Sequence, residues 1–240
     1  MKYIRHFDTH AEHEEKRSEL ESLGIYLSYC EDNKDTVLWR KYKEQLPNPY
    51  KDNPYVNQYL TIESNEANTE IFFTVYNSKS NSYFTKLEYS LDAENWDEMQ
   101  FPEDGGSATQ FSVMLTERDS KLYLRGTARE DELKYTGYQI PRSLNIKMNS
   151  GSCDIYGNIM SLVYGDDFED KTLFKTDDFK GFYYLFSRSE DLIDALNLLL
   201  PAMKLTDNCY NNMFSFCSKL KWTPELPATE IAAGCYMYMF

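Results

Sequence analysis

The sequence predicts a mainly β protein with a small α component, built from a small α/β module at the N-terminus, a β-sandwich in the middle and a solenoid of repeated coils at the C-terminus. Three observations lead to this prediction. A helix-capping pattern lies near the N-terminus, apolar residues alternate with polar ones between positions 59 and 148, and the pattern Cys-Tyr-x-x-Met-Phe occurs twice near the C-terminus.

Residues 1–40 are predicted to form a strand, a helix and a hairpin. Thr9 and Glu12 form a capping box, which is typical of a helix start, and the helix is expected to run to about Ser22. The stretch "GIYLSYCEDNKDTVLW" that follows is typical of two strands around a polar turn. Residues 41–57 contain three prolines among Asn, Asp and Gln residues, so we predict a linker or an extended arm there.

Residues 58–150 are predicted to form an immunoglobulin-like β-sandwich. Short alternating runs recur at a spacing of roughly ten residues and are separated by turns rich in Asn, Ser, Asp and Gly, as is typical of this architecture. The predicted strands are Tyr59–Glu63, Ile71–Tyr76, Phe84–Leu91, Phe111–Thr116, Lys121–Gly126 and Leu144–Met148.

Residues 151–240 contain a repeat. The tripeptide Leu-Pro-Ala recurs after 26 residues, as do the Cys and the final Phe of the Cys-Tyr-x-x-Met-Phe pattern, and a degenerate copy at 182–186 lies 28 residues before its counterpart. A period of this length is typical of leucine-rich repeats, in which equivalent positions stack about 4.8 Å apart around a continuous core. The predicted repeat-core residues are Phe186, Leu192, Leu200, Pro201, Leu205, Cys209, Met213, Phe214, Cys217, Leu220, Leu226, Pro227, Ile231, Cys235, Met239 and Phe240.

The extended pattern Leu-Pro-x-x-x-Leu/Ile-x-x-x-Cys-Tyr-x-x-Met-Phe-x-x-Cys-x-x-Leu resembles the BspA-like class of leucine-rich repeats, found in bacterial surface proteins and in virion proteins of phages that infect gut bacteria. The stretch "GNIMSLVYGDDF" resembles the segment that leads into such repeats. The N-terminal stretches "KYIRHFDTHAEHEE" and "IYLSYCEDNKDTVLW" are similar to the short N-terminal module of structural proteins in crAss-like phages. Those relatives commonly have Tyr or His at the position of Leu38 or Trp39.

This resemblance implies a non-enzymatic virion structural protein, a tail, fibre or decoration component. The N-terminal module would anchor the chain, and the repeat coils would serve subunit packing or contact with a host surface. The implied partners are other virion proteins, further copies of the chain in a homo-oligomer, and host-surface glycan or protein. The alternative is a bacterial cell-surface adhesin with BspA-like repeats that binds host protein or glycan.

Charge and hydropathy bear on this choice. With 25 Lys and Arg against 39 Asp and Glu, the net charge is −14, which disfavours binding to a nucleic-acid backbone. The N-terminus lacks the apolar run of an export signal, and no stretch has the length of a membrane span. An adhesin must cross a membrane, whereas virion parts assemble in the host cytoplasm, so we expect the virion.

The sequence nominates no catalytic residue, no metal ligand and no cofactor. The histidines, His6, His10 and His13, are interpreted as part of a solvated helix end, with a zinc site as the alternative. The acidic stretch 165–170 is interpreted as a solvated turn, with a calcium site as the alternative.

Two further patterns have a structural interpretation. Cys209 and Cys235 are predicted to be stacked buried thiols, with a disulfide between them as the alternative. The stretch "SLDAENW" resembles the Asp-box turn in the blades of sialidases, although Glu94 stands where that turn has glycine. We interpret it as a hairpin with Trp96 packed on the core.

Exposed tyrosines provide the candidate contact surface, because aromatic side chains bind both sugars and proteins well. Tyr183, Tyr184, Tyr236 and Tyr238 are the predicted contact residues. A solenoid also needs a cap. We therefore expect either that the native chain continues past Phe240 or that another subunit covers this coil.

Overall fold

A computed structural model describes residues 47–104, 106–133 and 142–240. The chain divides into two units, Met1–Pro49 and Tyr50–Phe240. The module predicted for residues 1–40, with its histidines, lies outside the described residues. The unit that begins at Tyr50 is mainly β, as the sequence predicts.

Ten strands and one short helix form the regular structure of the described residues. A single 3₁₀ turn spans Lys79–Asn81, and the helix, α1, spans Ser161–Tyr164. The strands are β1 (Leu60–Ser64), β2 (Thr69–Val75), β3 (Phe84–Ser90), β4 (Asp97–Glu98), β5 (Thr109–Leu115), β6 (Lys121–Ala128), β7 (Leu144–Met148), β8 (Cys153–Asn158), β9 (Leu192–Asp194) and β10 (Leu198–Leu199).

The strands form two sheets. The larger has the order β10-β8-β1-β6-β3-β4, with β9 also paired to β8, and the smaller has the order β5-β2-β7. Strand β1 is antiparallel to both β6 and β8, whereas β9 and β10 are parallel to β8. Each of the six strands predicted from alternation falls on an observed strand. Strands β4, β9 and β10 have only two or three residues, too few to show a period of two, whereas β8 alternates in burial and was not among the predicted strands.

Alternation along the strands creates the core between the two sheets. In β2, Ile71 and Phe73 are buried, whereas Phe72 between them is 38% exposed. The rings of Phe73 and Tyr89 stack across the sheets with centroids 6.3 Å apart, and Phe73 also stacks on Phe111 at 4.9 Å. Both sheets therefore share one hydrophobic core.

Part of the segment predicted to be a linker packs against this unit. Tyr50 is buried. The Asn158 side-chain amide donates to the Val56 carbonyl at 3.1 Å. The rings of Tyr55 and Tyr156 lie 5.4 Å apart. From Tyr50 onward the segment therefore belongs to the folded unit, and it runs directly into β1.

Three turn segments lie side by side at the C-terminal end of the unit: the first is 181–189, the second 207–217 and the third 233–240. Alternate N–H groups of one segment donate to carbonyls of the next, while the N–H groups between them donate three residues back within their own segment. The bonds between segments, with N···O distances, are Tyr184 to Asn211 (3.1 Å), Phe186 to Met213 (2.9 Å), Arg188 to Ser215 (2.8 Å), Asn208 to Ala233 (2.9 Å), Tyr210 to Cys235 (3.0 Å), Asn212 to Met237 (2.9 Å) and Phe214 to Met239 (2.8 Å).

Each turn segment has a four-residue period. The first two side chains point inward, and the third is buried at Ser187, Asn211 and Ser215. The fourth residue points outward and has a positive φ, as at Asn208 (58°) and Asn212 (56°). This geometry explains the spacing in Cys-Tyr-x-x-Met-Phe, because its two pairs of apolar residues are the inward pairs. The same conformation occurs at Tyr184, Arg188, Phe216, Gly234 and Tyr238.

Stacked rings fill the inside of the turn segments. Phe186, Phe214 and Phe240 stack with centroid separations of 5.5 and 5.6 Å. Phe182, Tyr210 and Tyr236 form a second ladder with separations of 5.7 and 5.9 Å. Both ladders join residues that are 28 and then 26 positions apart, which is the spacing found in the sequence.

The first turn segment continues the smaller sheet. The buried Asn145 side-chain amide donates to the carbonyls of Tyr184 (2.8 Å) and Ser187 (3.2 Å), and the Ile146 N–H donates to the Leu185 carbonyl at 2.7 Å. Strand β8 meanwhile pairs with β1 in the larger sheet. The predicted boundary at residues 150/151 therefore does not divide the unit into two separately packed parts.

Most predicted repeat-core residues are buried, but three are exposed. Leu226 is 41% exposed, Ile231 73% and Phe240 57%. All three lie within residues 226–240, and no later segment of the described chain packs on that stretch. Leu205, the counterpart of Ile231, by contrast lies beside that stretch and donates its N–H to the Glu230 carbonyl. The half-buried members are Cys217, Leu220 and Pro227, and the buried ones are Phe186, Leu192, Leu200, Pro201, Leu205, Cys209, Met213, Phe214, Cys235 and Met239.

Replacing Phe214 with alanine is expected to lower the free energy of unfolding by about 3–5 kcal/mol, because the ring fills a fully buried position. Phe216→Asn is the matched control, since Phe216 is 66% exposed and its φ of 63° suits asparagine. The control should leave stability unchanged or slightly raised. Urea unfolding followed by circular dichroism measures both, and equal losses would contradict this placement of the two rings.

Candidate interaction surface

The described cysteines are poor candidates for chemistry. Cys153 and Cys209 are buried, and burial raises the pKa of each thiol to about 12, so both are protonated at neutral pH. Cys209 and Cys235 are free thiols. Among the described residues, no group of three or more His, Cys, Asp or Glu side chains is placed to hold a metal ion.

The first carboxylate of the acidic stretch belongs to a network on the larger sheet. Asp166 Oδ1 accepts hydrogen bonds from the Arg125 guanidinium at 2.8 Å and from the Tyr59 hydroxyl at 2.9 Å. Arg125 Nε donates to Glu88 at 2.9 Å, and the guanidinium lies 4.1 Å from the centroid of the Trp96 ring. Arg125 is therefore fully engaged by its own chain.

The Asp-box-like stretch is a tight hairpin that positions Trp96. Asp92 Oδ1 accepts from the N–H groups of Glu94 (2.9 Å) and Asn95 (2.7 Å). Hydrogen bonds from Asn95, and then from Glu94 and Ser90, hold the pKa of Asp92 well below its usual range. Trp96 lies half-buried against Tyr59 and Arg125 rather than within the core.

The predicted contact tyrosines have different environments. Tyr238 is 71% exposed, whereas Tyr183 and Tyr184 are half-buried. Tyr236 stacks on Tyr210 with an interplanar angle of 8°, so it belongs to the inner ring ladder rather than to the outer surface. Tyr236 points inward because of its place in the four-residue period, in which Cys235 and Tyr236 form an inward pair.

Outward positions of the turn segments form two rows. Tyr184, Asn212 and Tyr238 share one position in successive segments, and Arg188 and Phe216 share the next. The Arg188 guanidinium lies 4.8 Å from the centroid of the Phe216 ring. Because adjacent hydrogen-bonded segments are about 4.8 Å apart, Tyr184 and Tyr238 lie on either side of Asn212 and are separated from each other by roughly twice that distance.

Arg142 adds a second arginine to these rows. Its guanidinium lies 3.9 Å from the centroid of the Tyr184 ring and 5.7 Å from that of Tyr76. Burial raises the pKa of Tyr183, its neighbour Tyr184 raises it further, and the charge of Arg142 opposes both. We define the outer face as Arg142, Tyr183, Tyr184, Arg188, Phe216 and Tyr238.

The two arginines of the outer face differ from others in the chain. Arg125 and Arg129 each pair with carboxylates of the protein. Within the described ranges, neither Arg142 nor Arg188 has a carboxylate oxygen within 4.0 Å. Their cationic groups lie over aromatic rings and keep their hydrogen-bond donors available.

Sequence reasoning found the tyrosines of this face but missed Arg142, Arg188 and Phe216. The four-residue period could have predicted that Arg188 and Phe216 point outward, because both follow an inward pair by two positions. Arg142 carries no such signal, since it reaches Tyr184 only through the pairing of β7 with the first turn segment.

No family model, curated protein or solved structure matches the chain. In the part of the chain that the structure describes, no helix is long and apolar enough to cross a membrane.

Native-state alkylation is expected to leave Cys153, Cys209 and Cys235 unmodified at pH 8, because they are buried and the thiolate is the reactive form. The control is the same reaction in denaturant, where all 5 cysteines should be modified. Peptide mass spectrometry after iodoacetamide treatment measures both. Rapid native modification of Cys209, or a Cys209–Cys235 disulfide, would contradict the packing described here.

Proposed function

We propose that the chain is a non-enzymatic structural protein of a phage particle, a tail, fibre or decoration component of the crAss-like type. The N-terminal module of residues 1–40 attaches the chain to the particle. The C-terminal coils make contacts with neighbouring subunits or with a host surface. The protein is assembled in the host cytoplasm and carried in the virion.

The stacking of the three turn segments is the observation that supports this proposal most. Successive segments are joined by backbone hydrogen bonds and by two ring ladders, with steps of 28 and 26 residues. This arrangement is what a BspA-like repeat solenoid requires, and it follows directly on two packed sheets. We interpret the two sheets, including β8, as the spacer and the three turn segments as the repeat region.

The outer face supports a role in contact with proteins. Its arginines and aromatic side chains are the types that dominate the binding energy of protein interfaces. The expected partners are other virion proteins and further copies of this chain. A nucleic-acid partner is disfavoured by the net charge of −14.

A bacterial surface adhesin is the second candidate. The exposed rings of Phe216 and Tyr238 favour this candidate, because exposed aromatic rings bind glycan and protein well. The location of the protein separates the two candidates, because an adhesin is found in the cell envelope and a virion component in particles.

Peptide mass spectrometry on density-purified phage particles from the source is expected to detect this chain at the copy number of a structural component. The bacterial envelope fraction of the same culture is the control. Detection only in the envelope would overturn the virion proposal in favour of the adhesin. Peptides that extend past Phe240 would also show that the native repeat continues.

A further inference from the structure

We propose that the outer face binds an acidic surface of a second copy of this chain, so that copies associate head to tail. This inference deepens the proposed function, on which it rests, by naming the surface and the partner through which subunits pack. It depends on three properties of the outer face: its side-chain types, its backbone conformation and its charge.

Two large aromatic side chains of the outer face are exposed and do not contribute to the core. Phe216 is 66% exposed and Tyr238 is 71% exposed. Arg188 lies over Phe216, and Arg142 lies over Tyr184. Arginine and aromatic residues are enriched at protein interfaces because they bury large areas and present fixed hydrogen-bond donors.

Several residues of the outer face also have a backbone conformation that is unfavourable for bulky side chains. Tyr184, Arg188 and Phe216 have φ values of 62°, 66° and 63°, a conformation that bulky side chains rarely adopt. Asn212 and Gly234 adopt it elsewhere in the same segments at lower cost. The turn therefore accepts small residues, yet it carries large outward ones that add little to folding. A contact outside the chain accounts for them.

Charge identifies the partner. Arg142 and Arg188 have no carboxylate within 4.0 Å in the described chain, whereas the protein as a whole carries a net charge of −14. A binding partner must then supply carboxylates, which pair with arginine in a bidentate geometry. A second copy has an abundance of them, for example the exposed side chains of Asp167 and Asp170.

The same charge sets the symmetry of the contact. A two-fold contact of the outer face with itself would place the arginines of both copies against each other. The outer face must instead meet a different surface of the next copy, and such a heterologous contact generates rings or filaments. We therefore expect cyclic or open-ended assemblies rather than a symmetric dimer.

Sedimentation velocity of the purified chain tests this inference. The wild-type protein is expected to form assemblies larger than a dimer, which weaken at high ionic strength. The double variant Arg142→Glu/Arg188→Glu should raise the dissociation constant by about 30-fold or more, as expected for loss of a hot spot. Phe216→Asn should weaken association without loss of stability. Arg118→Glu is the matched control, because Arg118 is exposed and lies beside Asp119.

A mixing experiment separates head-to-tail association from a symmetric dimer. The double variant keeps its acidic surface, so a substoichiometric amount should cap growing assemblies and shorten them. The inference is overturned if the wild-type chain stays monomeric at all concentrations, if it forms only a dimer, or if Arg118→Glu has the same effect. It is also overturned if a monomeric chain binds polygalacturonate through Arg142 and Arg188, which would identify an anionic glycan as the partner. Each of these results leaves the virion test unaffected.

Discussion

Successive backbone N–H groups of the turn segments donate in turn to a carbonyl of their own segment and to a carbonyl of the next segment. The C-terminal half of the unit depends on this alternation. One set closes four-residue turns within a segment, as Met213 does with Tyr210. The other set joins the segment to the next, as Phe214 does with Met239. Buried backbone N–H and C=O groups need hydrogen-bond partners, and here they find them without forming regular strands.

The same alternation sorts the side chains. Each closed turn directs one pair inward, where rings such as Phe186 and Phe214 stack, and its last residue outward, where Arg188 and Phe216 lie. A core and an outer surface thus arise from one repeated turn. The inner rings supply hydrophobic stability, and the outer positions are free to vary in chemistry.

The sequence predicted those features that depend on local periodicity. Alternation predicts six strands, and the repeat predicts one of the two ring ladders, since its spacing places Phe186, Phe214 and Phe240 at one position. It did not predict features that depend on pairing between distant segments. The contacts of Arg142 with Tyr184, and of Asn145 with the first turn segment, arise from such pairing.

Two expectations about the repeat differ from the structure. The sequence places Tyr236 among the exposed contact tyrosines, whereas its inward place in the turn sets it in the inner ring ladder. The 26-residue period places Leu226 and Ile231 in the repeat core, at the positions of Leu200 and Leu205, but both are exposed. Burial at such positions depends on a covering coil, which a repeat pattern alone does not supply.

The alternation of N–H groups is tested most directly by scalar couplings across hydrogen bonds, measured by NMR on the labelled, deuterated protein. Couplings are expected from the amide nitrogens of Tyr210, Asn212 and Phe214 to the carbonyl carbons of Cys235, Met237 and Met239, because their N···O distances are 3.0, 2.9 and 2.8 Å. Couplings of these three amides only to carbonyls within their own segment would contradict the stacked arrangement.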